Sequence, residues 1–146
     1  LAITLAISLH APNDTLRREI MPAAKDTTLI QILKAARVFF TARNREVTLE
    51  YTVLAGLNDT DVCVDELARL AYPMRCHVNL IPYNASGPDD PFRTPTQVAV
   101  KAFARKLEKQ AVSVTIRKSR GADIAAACGQ LRQKHHDEDE QQDDER

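Results

Sequence analysis

The chain is predicted to be an α/β protein built on parallel strands, and two observations carry that expectation. Segments with apolar residues at a period of two alternate with segments whose apolar residues recur at helical spacing, in the order strand, helix, strand, helix, strand, helix, strand. The first strand, Leu1 to Leu9, is almost continuously apolar, as expected of a parallel strand covered on both faces. Together they argue for βαβ units with right-handed crossovers.

Each element has a local reason. After the first strand, Ala11-Pro-Asn-Asp14 supplies turn residues and an Asn/Asp cap for a short helix from Thr15 to Ile20, which Pro22 closes. Thr28 caps the next helix, with Leu29, Ile32, Leu33, Ala36 and Phe40 on one face, running to about Arg43. Glu46 to Leu54 alternates as a second strand. A loop from Gly56 to Thr60 leads to a helix capped by Thr60 or Asp61, with Val64, Leu67, Ala68 and Ala71 aligned and its end before Pro73. His77 to Pro82 is the third strand. Asn84 to Pro95 is rich in Pro, Gly and Asp and too long for a mere connector, which makes it a candidate substrate or cofactor loop. Thr96 caps a helix carrying Val100, Phe103, Ala104 and Leu107, and Val112, Val114 and Ile116 alternate with Ser113, Thr115 and Arg117 in a last, half-buried strand.

At 146 residues and 44% hydrophobic content, the chain can bury one ordinary core. The net charge of zero hides a split. Of 20 basic and 20 acidic residues, three basic and seven acidic lie in residues 132–146, leaving 17 and 13 in residues 1–131. The basic body is compatible with RNA, as it is with many other partners. The tail, including His135-His-Asp-Glu, has nothing to bury and is expected to be disordered; its two histidines read as solvated rather than as metal ligands. Division is therefore expected at 131/132. Cys63, Cys76 and Cys128 are odd in number and widely spaced, against a disulfide framework or a metal knuckle and in favour of a reducing, cytoplasmic compartment. The N-terminal apolar run is about half a membrane span and lacks a basic start, so no membrane partner is expected. A chain that begins without Met inside a strand is expected to be a fragment of a longer protein.

The segment from Val112 to Leu131 places Cys128 after a strand and a basic turn of Arg117, Lys118 and Arg120, where ligands of parallel sheets tend to bind. Those cations could hold phosphate or be a solvated turn. Gly121 suits an unusual backbone conformation, and Asp123 a helix cap. By spacing alone, a Cys in an Ala-rich run is more often an inert core residue. Three segments in order, Leu5-Ala-Ile-Ser-Leu-His-Ala-Pro-Asn-Asp14, Val78-Asn-Leu-Ile-Pro-Tyr-Asn84 and Arg120-Gly-Ala-Asp-Ile-Ala-Ala-Ala-Cys-Gly-Gln-Leu131, resemble the C-terminal half of the RlmN/Cfr-type radical S-adenosylmethionine RNA methyltransferases.

That resemblance implies a fold and a chemistry. The fold would be the last part of an incomplete, TIM-like β/α barrel. Ser8, Leu9, His10 and Asn84 would contact S-adenosylmethionine; unassisted by the motif, His10 reads as a structural hydrogen-bonding residue and Asn84 as an Asx turn. Cys128 would accept a methyl group from one S-adenosylmethionine. A radical from a second, made at a [4Fe-4S] cluster, would take hydrogen from it, and the methylene radical would add to C2 of an adenine in 23S ribosomal RNA, with tRNA a second candidate. A resolving cysteine would then release the product. The implied electron donor is a flavodoxin or ferredoxin. The cluster-binding Cys-x-x-x-Cys-x-x-Cys loop, the Gly-Glu motif, the resolving cysteine and the base are absent here, so the chain alone is expected to be inactive. Cys63 and Cys76 match no functional cysteine and read as packing residues. Departures include Ala85 after Asn84, Ala23-Ala24, and Ala111 where Gly commonly precedes the last strand. Two other readings remain: a non-catalytic RNA- or partner-binding α/β module, and a Cfr-like enzyme acting at adenine C8.

Overall fold

The computed structural model describes residues 3–117; Lys118, Arg120, Gly121, Asp123, Cys128 and the acidic tail lie outside the described residues. Four strands, β1 (Leu5–Ser8), β2 (Val47–Val53), β3 (His77–Pro82) and β4 (Ser113–Ile116), form one sheet in the order β1-β2-β3-β4, every pair parallel. Helices α1 (Asp14–Ile20), α2 (Leu29–Arg43), α3 (Asp61–Ala71) and α4 (Gln97–Lys109) lie in the connections. Strands adjacent in sequence are adjacent in space, the winding of a β/α barrel rather than of a sheet whose strand order doubles back.

The helix starts follow from side-chain caps, each satisfying a backbone N–H that the first turn leaves unbonded. Asn13 Oδ1 accepts from Leu16 N at 2.8 Å, and Thr60 Oγ1 and Thr96 Oγ1 accept from Cys63 N and Ala99 N. Thr28 and Gln31 form a reciprocal capping box. Pro22 and Pro73 each sit in a single 3-10 turn that ends the preceding helix.

One face of the sheet makes the core. Val47, Leu49, Tyr51 and Val53 are wholly buried with Val78 and Leu80, against Val64, Leu67, Ala68 and Ala71 of α3 and Val100, Phe103, Ala104 and Leu107 of α4. The rings of Tyr51 and Phe103 stack at 5.6 Å. Cys63 and Cys76 are buried free thiols, and burial pushes the Cys76 thiol up to about 11, which makes Cys76 a poor nucleophile. Packing weakens toward the edges: of the expected α2 face only Leu29 and Ala36 are fully buried, and Ile116 in β4 is exposed.

The first strand corrects an expectation. It spans four residues, not nine, and it is not covered on both faces: Leu5 and Ile7 are half-buried while Ala6 and Ser8 are exposed. The helices pack on one side of the sheet, and nothing among the described residues covers the other at β1. The continuous apolar run arises because Ala6 sits on the open face, where a small side chain exposes little apolar area.

Ala111, between α4 and β4, has φ +62°, a left-handed conformation that a Cβ disfavours and glycine accepts. Ala111→Gly is therefore expected to stabilise the fold by about 1 kcal/mol, read as a higher urea midpoint with unchanged slope.

Candidate functional site on the open face and at the strand ends

The open face of the sheet is polar. Ser8, Glu50, Asn79 and Thr115 stand in register across all four strands, and Ala6, Thr48, His77 and Ser113 form the next row toward the strand starts. His77 bridges two residues of β4, with Nδ1 2.7 Å from Ser113 Oγ and Nε2 2.7 Å from Thr115 Oγ1. Asn79 Nδ2 donates to Glu50 Oε1 at 3.4 Å, and Glu50 Oε2 lies 4.0 Å from Arg117 Nη1. Such a face suits a polar ligand at the carboxyl ends of the strands.

Where β1 leaves the sheet, its last residues are held firmly. The N–H groups of Leu9 and His10 both converge on the Glu50 carbonyl, at 3.0 and 3.3 Å. The Leu9 and Ser8 carbonyls accept from Arg17 Nε and Nη2, and Arg17 is itself buried. His10 has φ +59°, uncommon for a residue with a side chain. Its Nδ1 accepts the Thr52 N–H at 2.9 Å, and its carbonyl accepts from Asn58 Nδ2 at 2.9 Å. The same Asn58 amide donates to the Thr52 carbonyl at 2.7 Å, and Asn58 Oδ1 accepts from Leu54 N at 2.8 Å. Tyr51 Oη donates to the Asn58 carbonyl at 2.6 Å. Asn58 is fully buried, so these bonds replace the water it has lost. Burial, and then the nearby Arg17 charge, pull the His10 pKa down to about 4. The neutral ring, accepting at Nδ1, carries its proton on Nε2 and offers one donor.

Asn84 follows β3 and is exposed on a groove of about 610 Å³ that it shares with Tyr83, Thr94, Gln97, Lys101 and Arg117. The loop behind it is ordered by Asp90, whose carboxylate accepts from Tyr83 Oη and from the N–H groups of Ser86 and Phe92, while Thr94 Oγ1 accepts from Ala85 N. Tyr83 and Phe92 meet edge to face at 5.7 Å over a small second core with Ala11, Ile20 and Leu54.

Of the residues expected to contact cofactor, Ser8 is exposed on the open face, and His10 and Asn84 stand beyond the ends of β1 and β3. The Leu9 side chain is wholly buried in the core, and its N–H and carbonyl are both bonded within the protein. Cys128 lies outside the described residues. Among the described residues no group of three His, Cys, Asp or Glu side chains could hold a metal ion, so none of them fits an iron-sulfur cluster. No described helix is long and apolar enough to cross a membrane. Asn58, Glu50, Asn79 and Arg17 were not foreseen. Asn58 reads in sequence as an ordinary loop residue after Gly56, and the alternation of β2 that puts Glu50 opposite the core was its only signal.

A one-sided parallel sheet of neighbouring βαβ units with polar strand ends is a β/α-barrel segment. The chain superimposes on a radical SAM methyltransferase from Sphaerobacter thermophilus with a TM-score of 0.79 and 42% identity, over 89% of this chain and 38% of that one. A domain of a pyruvate-formate lyase-activating enzyme from Bacteroides vulgatus shares the fold at a TM-score of 0.62 and 19% identity, over 79% of this chain and 67% of that one. Curated proteins of the RlmN type match it along most of its length. The chain is 44% identical over 92% of its length to a probable dual-specificity RNA methyltransferase RlmN from Clostridium tetani, of which it covers 38%. It is 47% identical over 92% of its length to the one from Pelotomaculum thermopropionicum, of which it covers 36%. The chain thus matches a portion of the RlmN-type radical SAM methyltransferases and spans about two fifths of their length. No protein-family model matches it.

Two outcomes test this geometry. Asn58→Ala leaves the Leu54 N–H and the His10 and Thr52 carbonyls without their partner, and is expected to cost about 3 kcal/mol in urea unfolding. His10, lowered from 6.5 to about 4, binds its proton more readily in the unfolded chain. Its contribution is thus complete above pH 6.5 and is lost as pH falls toward 4, and His10→Gln is expected to flatten that slope in a pH series of thermal melts.

Proposed function

We propose that the chain supplies the cofactor- and substrate-facing part of a radical S-adenosylmethionine methyltransferase that methylates C2 of adenine in 23S ribosomal RNA, with tRNA as a further substrate. The observation that carries the reading is the joint likeness in sequence and fold, 42% identity at a TM-score of 0.79, to a radical SAM methyltransferase over nearly the whole chain. S-adenosylmethionine supplies the methyl group and, at a [4Fe-4S] cluster, the radical chemistry; no described residue would hold that cluster, and no step is derived through it.

The described residues fit the cofactor's polar end. Ser8 offers a hydroxyl at the end of β1, His10 one N–H donor on a backbone locked by Asn58, and Asn84 both a donor and an acceptor at the groove beyond β3. Because His10 stays neutral well below pH 7, it binds by hydrogen bonding and adds no charge. Leu9 contributes by packing, and the doubly bonded Glu50 carbonyl keeps the turn after it in place. Cys128 would be the methyl acceptor, its thiolate the nucleophile toward the methyl group that S-adenosylmethionine would supply. The complete reaction would draw electrons from a flavodoxin or ferredoxin in the cytoplasm.

The test is a chimera in which this chain replaces the matching segment of the Clostridium tetani relative. The chimera is expected to methylate adenine in 23S ribosomal RNA at C2, located by mass spectrometry of nucleosides, and Cys128→Ala is expected to abolish methylation while RNA binding persists. Methylation that survives Cys128→Ala would sink the role of the thiol, and methylation at C8 would move the enzyme to the Cfr type. In calorimetric titration with S-adenosylmethionine, Asn84→Ala is expected to weaken binding about tenfold, roughly the loss of one or two hydrogen bonds.

A further inference from the structure

Glu50 is a carboxylate inside the sheet for which the reaction described above has no use. Its side chain is 17% exposed, Oε1 accepts from Asn79 at 3.4 Å, and Oε2 is buried without a hydrogen bond, with Arg117 Nη1 the cation facing it at 4.0 Å. A buried carboxylate oxygen left unbonded is costly, and a short movement of the guanidinium would satisfy it. The placement of Arg117 makes that movement available. Its N–H donates to the Leu80 carbonyl at 2.8 Å, carrying the ladder one residue past β4, so its side chain follows Thr115 to the open face and reaches over β3 to β2.

We propose that Glu50 is a positioning residue that holds the Arg117 guanidinium across the open face, and that Arg117, so held, binds a phosphate of the RNA substrate. The proposal rests on the RNA methyltransferase reading. A guanidinium has five N–H donors, and the edge turned to Glu50 leaves others for a second anion in a fork that matches phosphate. Arg117 lines the same groove as Asn84, so a nucleotide bound there would lie beside the residue assigned to the cofactor, as transfer between them requires. Lys101 lines that groove too, and no acidic residue does among the described ones. Phosphate contacts from Arg and Lys fix the register of a nucleic acid without reading its sequence.

The test uses the full 146-residue chain and a fluorescently labelled RNA hairpin with an unpaired adenine, titrated by anisotropy at several salt concentrations. Arg117→Ala is expected to weaken binding about tenfold and to lower the salt slope by about one, the signature of one lost phosphate contact. Arg117→Lys should keep the slope but not the affinity. Glu50→Gln, the same size without the charge, should weaken binding about threefold in the parent and not at all in an Arg117→Ala background, because the two act as one unit. Glu50→Asp, which withdraws the charge by one methylene, should behave like Gln; amide spectra of each variant report that the fold is kept. Glu50→Gln with parental affinity, or effects of Glu50 and Arg117 that simply multiply, would overturn the pair while leaving the RNA reading intact. A parent chain that does not bind the hairpin would overturn the phosphate site, while the chimera assay above tests the methyltransferase reading separately.

Discussion

The amide of Asn58 is the interaction on which the strand-end geometry depends. β1 is only four residues long and turns away while β2 continues, so the N–H and carbonyl of Thr52 lose the strand that would have bonded them. Their replacements come from side chains: His10 Nδ1 takes the N–H, and Asn58 takes the carbonyl together with that of His10. A buried backbone group left unbonded costs about as much as a lost hydrogen bond, so the exchange keeps the sheet intact where a regular ladder has stopped. It also holds His10 in a left-handed conformation that a free chain would seldom adopt. Packing and function meet here, since the bonds that close the sheet also settle which nitrogen of His10 carries the proton.

The two faces of the sheet divide the labour. Hydrophobic burial against α3 and α4 provides the rigid side, with β2 wholly buried at every second residue. The opposite side holds hydroxyls, an imidazole, an amide and a carboxylate in register, mostly bonded to one another across strands. A polar row is tolerable on a sheet only where it is paired or reached by solvent or ligand, and Glu50 Oε2 is the member of this row left unsatisfied. The long loop after β3 extends the same division: Asp90 gathers its backbone, Tyr83 and Phe92 bury its base, and Asn84 stays exposed on the groove.

Much of the architecture was legible from residues alone because it rests on local rules. Period and capping located β3 at His77–Pro82 and the starts of α2, α3 and α4 at Thr28, Thr60 and Thr96. The apolar faces of α3 and α4 are buried as their spacing required. Burial of β1 was misread, since an apolar run tells that a strand can be covered and not that anything lies over it. The site was legible only in part. Ser8, His10 and Asn84 are marked by motif, whereas the roles of Asn58 and Glu50 arise from contacts between residues 48 and 67 positions apart, such as Asn58 with His10 and Glu50 with Arg117.

What the sequence by itself determined is what nearest neighbours along the chain can determine: the alternation of parallel strands and helices, the caps, the core-facing residues, and the motifs that carry the family resemblance. Tertiary structure decided the rest, because hydrogen bonding and desolvation depend on which distant groups end up within a few ångströms. It made His10 a neutral donor, buried the Leu9 side chain in the core, and made Asn58 the closure of the sheet and Glu50 the partner of Arg117.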